Sequence, residues 1–128
     1  MKKMIWILLA VLVLAGCGKT QETDREAVYM NITAEEAKVI MDSQEGYIIL
    51  DVREQEEYDQ GHIPGAILIP YTQIEEKADP MLPDKDQLIL VYCRSGRRSK
   101  IAAEALVELS YTNIKEFGGI IDWPYEVE

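Results

Sequence analysis

The sequence predicts an α/β sandwich built on a central parallel sheet. Three short apolar runs, Tyr47 to Leu50, Ile67 to Ile69 and Leu88 to Tyr92, are typical of strands buried on both faces. Segments with helical signals lie between these runs. Because strands that alternate with helices along a chain usually pair in parallel, this order predicts an α/β fold.

The first half of the predicted domain contains two helices and a strand. Thr33 to Glu36 has the form of a capping box, and apolar residues follow at helical spacing, which predicts a helix over Ala34 to Asp42. Gly46 ends that helix, and the strand Tyr47 to Leu50 follows. A polar stretch from Glu54 to Gln60 is predicted to be the second helix.

The next segments alternate in the same way. Gly61 to Gly65 predicts a turn, after which comes the buried strand Ile67 to Ile69. A short helix is expected over Thr72 to Lys77, closed by a loop from Pro80 to Pro83. Leu88 to Tyr92 is the strongest strand signal in the chain because all five residues are apolar or aromatic.

The last predicted helix follows Cys93. Its apolar positions recur at i, i+1, i+4, i+5 and i+8, and charged residues occupy the opposite side. This pattern predicts an amphipathic helix packed on the sheet. The apolar positions are Ile101, Ala102, Ala105, Leu106 and Leu109.

The N-terminal segment is predicted to be a signal peptide. Lys2 and Lys3 precede an apolar run from Met4 to Ala15, which as a helix would rise about 18 Å against the roughly 30 Å of a bilayer core. Leu14 to Cys17 resembles the lipobox of bacterial lipoproteins, which implies removal of residues 1–16 and a diacylglycerol thioether on Cys17. A plain signal peptide or an apolar helix with a chance cysteine is the alternative.

This division gives a lipid-anchored protein with one domain. Residues 17–28 are read as the lipidated cysteine and a flexible polar tether, and residues 29–128 as the folded domain. Two or three acyl chains would anchor it stably outside the cytoplasm, on the cell membrane or on the outer membrane of a cell that has one. The sequence does not identify protein partners.

The charge of the chain argues against nucleic acid as a partner. The 128 residues contain 23 acidic and 13 basic side chains, a net charge of −10 with a pI near 4.6. Such a surface would repel phosphates. The stretch from Gln87 to Ala103 departs from this balance, because it contains four basic residues and no acidic ones. A local positive charge of this kind would attract small anions.

Cys93 is the main candidate for chemistry. If Cys17 carries lipid, Cys93 is the remaining thiol of an exported chain and has no disulfide partner, so it is either a buried apolar residue or a nucleophile. The segment Cys93 to Ser99 joins a strand to a helix, where backbone N–H groups and nearby arginines can lower a thiol pKa. Asp51 directly follows another predicted strand, at the same expected sheet edge.

Four motifs, taken in their order along the chain, resemble those of a known protein family. Ile49 to Glu54, Gly61 to Ala66, Tyr92 to Gly96, and Gly118 to Ile120 followed by Trp123 are similar to the motifs of single-domain rhodaneses, which are sulfurtransferases. The resemblance covers essentially the whole domain and implies a three-layer sandwich with helices on both faces of the sheet. Ser110 is a departure, because many members carry glycine there.

The resemblance implies a reaction and a site. Cys93 would take sulfane sulfur from an anionic donor such as thiosulfate, hold it as a persulfide, and pass it to cyanide or a thiol, with no cofactor. Asp51 and Arg53 are read as a structural polar pair beside the site. The loop residues expected to bind the donor are Arg94, Ser95, Gly96, Arg97 and Arg98.

The same residues allow three other interpretations. Related phosphatases and arsenate reductases have five residues between cysteine and arginine, whereas here four residues separate Cys93 from Arg98, so an oxyanion of phosphate size should fit poorly. A non-catalytic anion-binding or partner-binding sensor is the second alternative, and the retained cysteine argues against it. His62 invites a metal role, but it lies in a turn motif with no second histidine, so no metal is expected.

Overall fold

The structure is a computed structural model that describes residues 28–128, so the predicted signal peptide, Cys17 and most of the tether lie outside the described residues. Five strands form one sheet in the order β1-β5-β4-β2-β3, and every neighbouring pair is parallel. The predicted α/β class is therefore confirmed. The strands are β1 (Met30–Asn31), β2 (Ile48–Asp51), β3 (Ile67–Leu68), β4 (Ile89–Cys93) and β5 (Ile114–Gly119).

All four predicted helices are present. In the first, the Thr33 hydroxyl accepts the Glu36 N–H at 3.0 Å and the Glu36 carboxylate accepts the Thr33 N–H at 2.9 Å, which confirms the capping box. None of the helices between residues 28 and 128 combines the length and apolarity needed to cross a bilayer. The helices are α1 (Ala34–Ser43), α2 (Gln55–Gln60), α3 (Ile74–Met81) and α4 (Arg97–Glu108), with 3-10 turns at Tyr71–Gln73 and Ile120–Asp122.

Two apolar cores, one on each face of the sheet, make the three layers. Alternate residues of β4 point to opposite faces, so Val91 and Cys93 join the core beneath α3 and α4. Leu90 and Tyr92 join the other core, which α1 covers through Ala37 and Ile40. The strand period thus places the Cys93 side chain on the face of the sheet that α4 covers.

Two predicted elements need correction. In the predicted strand Ile67 to Ile69, only Ile67 and Leu68 form β3, and their side chains are half-buried because this edge strand pairs only with β2, whereas Ile69 lies beyond the strand and is buried. Pro80 lies inside the last turn of α3 and not in a loop. The helix tolerates it there because it ends almost immediately, and the cap is closed by the Leu82 N–H bound to the Ala78 carbonyl at 2.6 Å.

The strands β1 and β5 and the orientation of α4 were not predicted. β5 escaped detection because Lys115 and Glu116 interrupt its apolar run, and β1 has only two residues. The predicted apolar stripe on α4 is partly wrong, since Ile101 is 40% exposed. The buried positions are Ser99, Ala102, Ala103 and Leu106, which follow the i, i+3, i+4, i+7 pattern of one helix face.

Ser110 occupies a position that favours glycine. Its φ is +76°, in the left-handed region. The Ser110 N–H binds the Val107 carbonyl at 2.9 Å, and the Tyr111 N–H binds the Leu106 carbonyl at 3.0 Å. These two bonds form a Schellman motif, in which glycine is the usual residue at this point. The helix therefore ends in the ordinary way despite the serine.

Candidate functional site

Cys93 is enclosed by the loop that leads from β4 into α4. It is the last residue of β4, and α4 begins at Arg97 after a three-residue connection. Gly96 has a φ of +110°, which turns its N–H toward Cys93 Sγ at 3.0 Å. Cys93 is 1% exposed. The sulfur therefore lies inside the turn of the loop, among its backbone N–H groups.

The environment of the thiol favours its anionic form. Burial is the largest single influence and by itself raises the pKa of Cys93. Hydrogen bonds oppose burial and together outweigh it, so the pKa lies below its ordinary value. The Ser99 hydroxyl contributes most to this lowering, followed by the backbone N–H groups of Ser99, Gly96 and Ser95. An anion at this point receives converging donors, as a reactive cysteine requires.

Gly119 lies directly against the backbone of the loop that joins β4 to α4. A β-carbon at this position would overlap the Arg94 carbonyl group and lie 2.6 Å from Ser95 Cα. The Ile121 N–H holds the Arg94 carbonyl oxygen at 3.2 Å. The last residue of β5 and the turn after it are therefore in direct backbone contact with the loop, and only glycine permits that approach.

The three arginines of the loop segment have different surroundings. Arg94 and Arg97 are exposed, and the Arg97 guanidinium lies 5.9 Å from the centre of the Tyr71 ring. Arg98 forms a two-pronged ion pair with Glu57, at 2.8 and 2.9 Å. Glu57 therefore offsets part of the positive charge that the sequence predicted for this segment.

We expect Glu57→Gln to destabilise the protein in a pH-dependent way. The Arg98 guanidinium, helped by the Glu54 N–H and opposed by burial, lowers the pKa of Glu57 from 4.5 to about 2. A carboxyl group with a lowered folded-state pKa stabilises the fold above pH 4.5, and that contribution is lost as the pH falls toward 2. Because the pair is partly solvated, the loss at neutral pH should be about 1 kcal/mol.

Thermal unfolding at neutral and acidic pH measures this effect. The difference in stability between wild type and Glu57→Gln should disappear between pH 4.5 and about 2. Glu56→Gln, a neighbouring exposed position, is the matched control and should show no such dependence. A Glu57→Gln effect that is constant over this pH range would contradict the assignment.

Asp51 and Arg53 form the buried polar pair that the sequence suggested. Arg53 Nη2 donates to Asp51 Oδ2 at 2.7 Å and to the Gly61 carbonyl at 2.7 Å. Tyr92 Oη donates to the same Asp51 oxygen at 2.6 Å and accepts the Ile63 N–H at 3.0 Å. Burial and then Asp51 raise the pKa of Tyr92, which keeps the phenol protonated as a donor.

This pair shares the sheet edge with the active loop but not the sheet face. Asp51 bonds to Tyr92, whose side chain lies in the core opposite the one that holds Cys93. The network therefore ties the ends of β2 and β4 to the turn at Gly61 and does not reach the thiol. Its geometry supports the structural role expected from the sequence.

His62 is held in the turn. Its ring stacks on Tyr58 at 3.8 Å between centroids, and Nδ1 lies 3.0 Å from the Tyr58 carbonyl oxygen. Nε2 lies 3.5 Å from the exposed Glu128 carboxylate. Among residues 28–128 there is no group of three His, Cys, Asp or Glu side chains placed to hold a metal ion.

Two polar residues beside Cys93 were not predicted. Ser99 and Glu116 are both at least 98% buried, and the Ser99 hydroxyl lies 3.5 Å from Cys93 Sγ while donating to the Glu116 carboxylate. Helical spacing from Ala102 and Leu106 could have identified Ser99 as inward-facing. No sequence signal marked Glu116, because the strand that carries it was itself missed.

A groove of about 390 Å³ adjoins the loop at Arg94. It mixes polar and apolar side chains, and the structural pair contributes Arg53 to its wall. The groove gives the loop an open approach on one side. The other lining residues are Glu57, Gln60, Gly61, Ile120, Ile121 and Val127.

Comparison with known families gives two matches along the chain. The Rhodanese-like domain matches residues 33–124, and the prokaryotic membrane lipoprotein lipid attachment site matches residues 1–17. The first match spans every helix and strand of the structure except β1. The second falls on the predicted signal peptide and ends at Cys17.

Curated relatives are sulfur-handling proteins. Thiosulfate sulfurtransferase PspE of Escherichia coli strain K12 is 42% identical over 73 residues, covering 57% of this chain and 70% of that protein. Putative sulfur carrier protein YrkF of Bacillus subtilis strain 168 is 35% identical over 112 residues. That match covers 87% of this chain but only 60% of the Bacillus protein.

Solved structures share the fold. A rhodanese with anions from E. coli has a TM-score of 0.61 and 38% identity, covering 64% of this chain and 96% of that one. A rhodanese-related protein from Thermoplasma volcanium has a TM-score of 0.68 and 33% identity, covering 78% and 98% of the two chains. These matches confirm the three-layer α/β arrangement expected from the sequence motifs.

Proposed function

Because this chain belongs to the rhodanese-like family of sulfurtransferases, we propose that it transfers sulfane sulfur through a persulfide on Cys93. The observation that carries the proposal is the Gly96 N–H, which lies 3.0 Å from Cys93 Sγ at the head of α4. Loop donors that converge on a buried sulfur stabilise a thiolate, and they suit a persulfide anion equally well.

The first half-reaction would load Cys93. The thiolate attacks the outer sulfur of an anionic donor such as thiosulfate, forming an S–S bond to Sγ. The donor's own S–S bond breaks, and its electron pair leaves on sulfite. Charge is conserved, because a thiolate and a dianion become a persulfide anion and a dianion. No metal or organic cofactor takes part in this step.

The second half-reaction would discharge the persulfide. Cyanide or a thiolate attacks the outer sulfur, the bond to Sγ breaks, and Cys93 regains its electron pair as a thiolate. The products are thiocyanate or an acceptor persulfide. The cycle returns the enzyme to its starting form without an external oxidant or reductant. The electron pair that Sγ gives to the new S–S bond in the first step returns to Sγ in the second.

The three arginines would contribute unequally to attracting the donor. Arg94 and Arg97 are exposed and carry charge that a dianion can meet. Arg98 is bound to Glu57, so its charge is largely committed before a donor arrives. We therefore assign donor attraction mainly to the first two, and the support of α2 against the loop to Arg98.

A non-catalytic anion sensor is the second candidate. It would need the N–H cradle but not the thiol, whereas here the thiol is present and sits within the cradle. The four residues between Cys93 and Arg98 also argue against a phosphatase. The retained cysteine favours sulfur transfer over both.

Intact-mass spectrometry of the full chain tests the proposal. Incubation with thiosulfate should add one sulfur atom to the protein, and cyanide should then remove it with release of thiocyanate. Peptide mapping should place the added sulfur on the tryptic peptide that ends at Arg94. Anion binding without any gain in mass would favour the sensor.

We also propose that the protein is anchored outside the cytoplasm by lipid on Cys17. The lipid attachment site at residues 1–17 supports this. Cys17→Ser should leave the signal peptide uncleaved or release the protein from membranes, because the acceptor thiol for the lipid is gone. Cell fractionation and the mass of the purified protein measure both outcomes. A membrane-bound variant with the mature mass of the wild-type polypeptide would contradict the anchor.

A further inference from the structure

Glu116 is a buried carboxylate that the proposed sulfur transfer does not use. It is 2% exposed and projects from β5 on the face of the sheet that α4 covers. Its Oε2 atom accepts hydrogen bonds from the Ser99 hydroxyl and, at 2.9 Å, from the Gly118 N–H. Lys100 Nζ lies 3.6 Å from Oε1 and is half exposed. A buried charge so close to a reactive thiol affects that thiol's ionisation.

Ser99 lies between Glu116 and Cys93 and has a single hydroxyl hydrogen to donate. The Ser99 oxygen lies near three acceptors besides Glu116, namely the Gly96 carbonyl at 3.0 Å, the Gly118 carbonyl at 3.4 Å and Cys93 Sγ at 3.5 Å. A hydroxyl group donates only one hydrogen bond. An ionised carboxylate is the strongest acceptor of the four while Cys93 is a thiol, so it takes that hydrogen.

The direction of the Ser99 hydroxyl then depends on the charge of Glu116. With Glu116 ionised, the carboxylate draws the Ser99 hydrogen away from Cys93, so Ser99 stabilises the thiolate less than it otherwise would. With Glu116 neutral, the hydroxyl is free to turn and donate to the thiolate. Direct repulsion acts in the same sense, because both groups contact Ser99 and their charges lie within roughly 6 Å of each other.

We propose that Glu116 is a positioning residue that acts through Ser99 and sets the pH at which Cys93 becomes a thiolate. Its negative charge competes with the Cys93 thiolate for the Ser99 hydrogen and so limits how far the loop donors favour the thiolate, and Lys100 weakens that effect by pairing with the carboxylate. In an oxidising compartment a smaller resting fraction of thiolate slows oxidation, since oxidants attack the thiolate. The proposal rests on the proposed function only in taking the thiolate as the reactive form.

The other charged side chain that faces Cys93 already has an ion-pair partner. Arg98 faces Cys93 from α4 and is itself neutralised by Glu57. β1 pairs with the backbone of β5 beside Glu116 through Asn31, and neither residue of β1 is charged. Glu116 and Lys100 are therefore the side chains whose replacement should move the ionisation of Cys93 in opposite directions.

The test is the pH dependence of Cys93 alkylation by iodoacetamide, measured on the full chain in detergent. Alkylation is quantified in the tryptic peptide that ends at Arg94, which separates it from any reaction at Cys17. Glu116→Gln should lower the midpoint of the pH profile and speed alkylation near pH 6 by about tenfold or more. Lys100→Met should raise the midpoint.

Controls separate this effect from structural damage. Glu104→Gln neutralises an exposed carboxylate on α4, the helix that carries Ser99 and Lys100, and should leave the pH profile of alkylation unchanged. In a Ser99→Ala background, the effect of Glu116→Gln should shrink because the hydroxyl link is gone. General disruption of the site would shift the midpoint of the pH profile in the same direction in Glu116→Gln and Lys100→Met. The proposal requires shifts in opposite directions.

Two results would overturn the proposal. One is alkylation of Glu116→Gln at the wild-type rate or slower near pH 6. The other is an unchanged midpoint in Lys100→Met, a surface variant that decides the matter even if Glu116→Gln does not fold. Alkylation needs no sulfur donor, so absence of sulfur transfer would overturn the proposed function and leave this result standing.

Discussion

Cys93→Ser will abolish sulfur loading and sulfur transfer. A serine hydroxyl stays protonated at neutral pH and is a poor nucleophile toward sulfur, so none of the loop donors around it can replace the thiolate. We expect the rate of thiocyanate formation from thiosulfate and cyanide to fall by at least about a thousandfold. Mass spectrometry should show no gain of sulfur by the variant.

The matched control is the same substitution at the other cysteine. Cys17→Ser, assayed in detergent, should load and discharge sulfur at the wild-type rate, because Cys17 lies far along the chain from the loop and is assigned to the anchor. Far-ultraviolet circular dichroism should show that Cys93→Ser is folded. Sulfur transfer that persists in Cys93→Ser would assign the reaction to another group.

Gly119→Ala will destabilise the protein strongly and misplace the active loop. The added methyl group would overlap the Arg94 carbonyl group and approach Ser95 Cα to 2.6 Å, and both contacts are with backbone. We expect a loss of more than about 3 kcal/mol in the free energy of unfolding, which is above the usual range for overpacking because the methyl group meets backbone atoms that cannot rotate away. In the folded fraction, displacement of the loop should slow sulfur loading by about a hundredfold.

Gly46→Ala is the matched control for this prediction. Gly46 has a φ of +83° and open space around its Cα, so alanine there costs only backbone strain of about 1 kcal/mol. Gly119 has a φ of −132°, which alanine adopts freely, so its effect is purely steric. Urea unfolding compares the two variants. A Gly119→Ala protein more stable than Gly46→Ala would show that the loop yields to the methyl group.

The sequence alone determined the fold class, the main elements and the nucleophile candidate. These depend on local information: apolar runs mark β2 and β4, a capping box starts α1, and a lone thiol follows the strongest strand signal. The loop motif after Cys93 added the resemblance to sulfurtransferases. Each of these signals lies within a few neighbouring residues, which is the range over which pattern and propensity act.

Only the tertiary structure decided what surrounds Cys93. Glu57, Glu116 and Gly119 reach the loop and the first turn of α4 from α2 and β5, across 17 or more residues of sequence. The predicted positive segment is consequently paired with two carboxylates that no local count could include. Contacts of this kind arise from strand order and parallel register, because β5 lies beside β4 although a whole helix separates them along the chain.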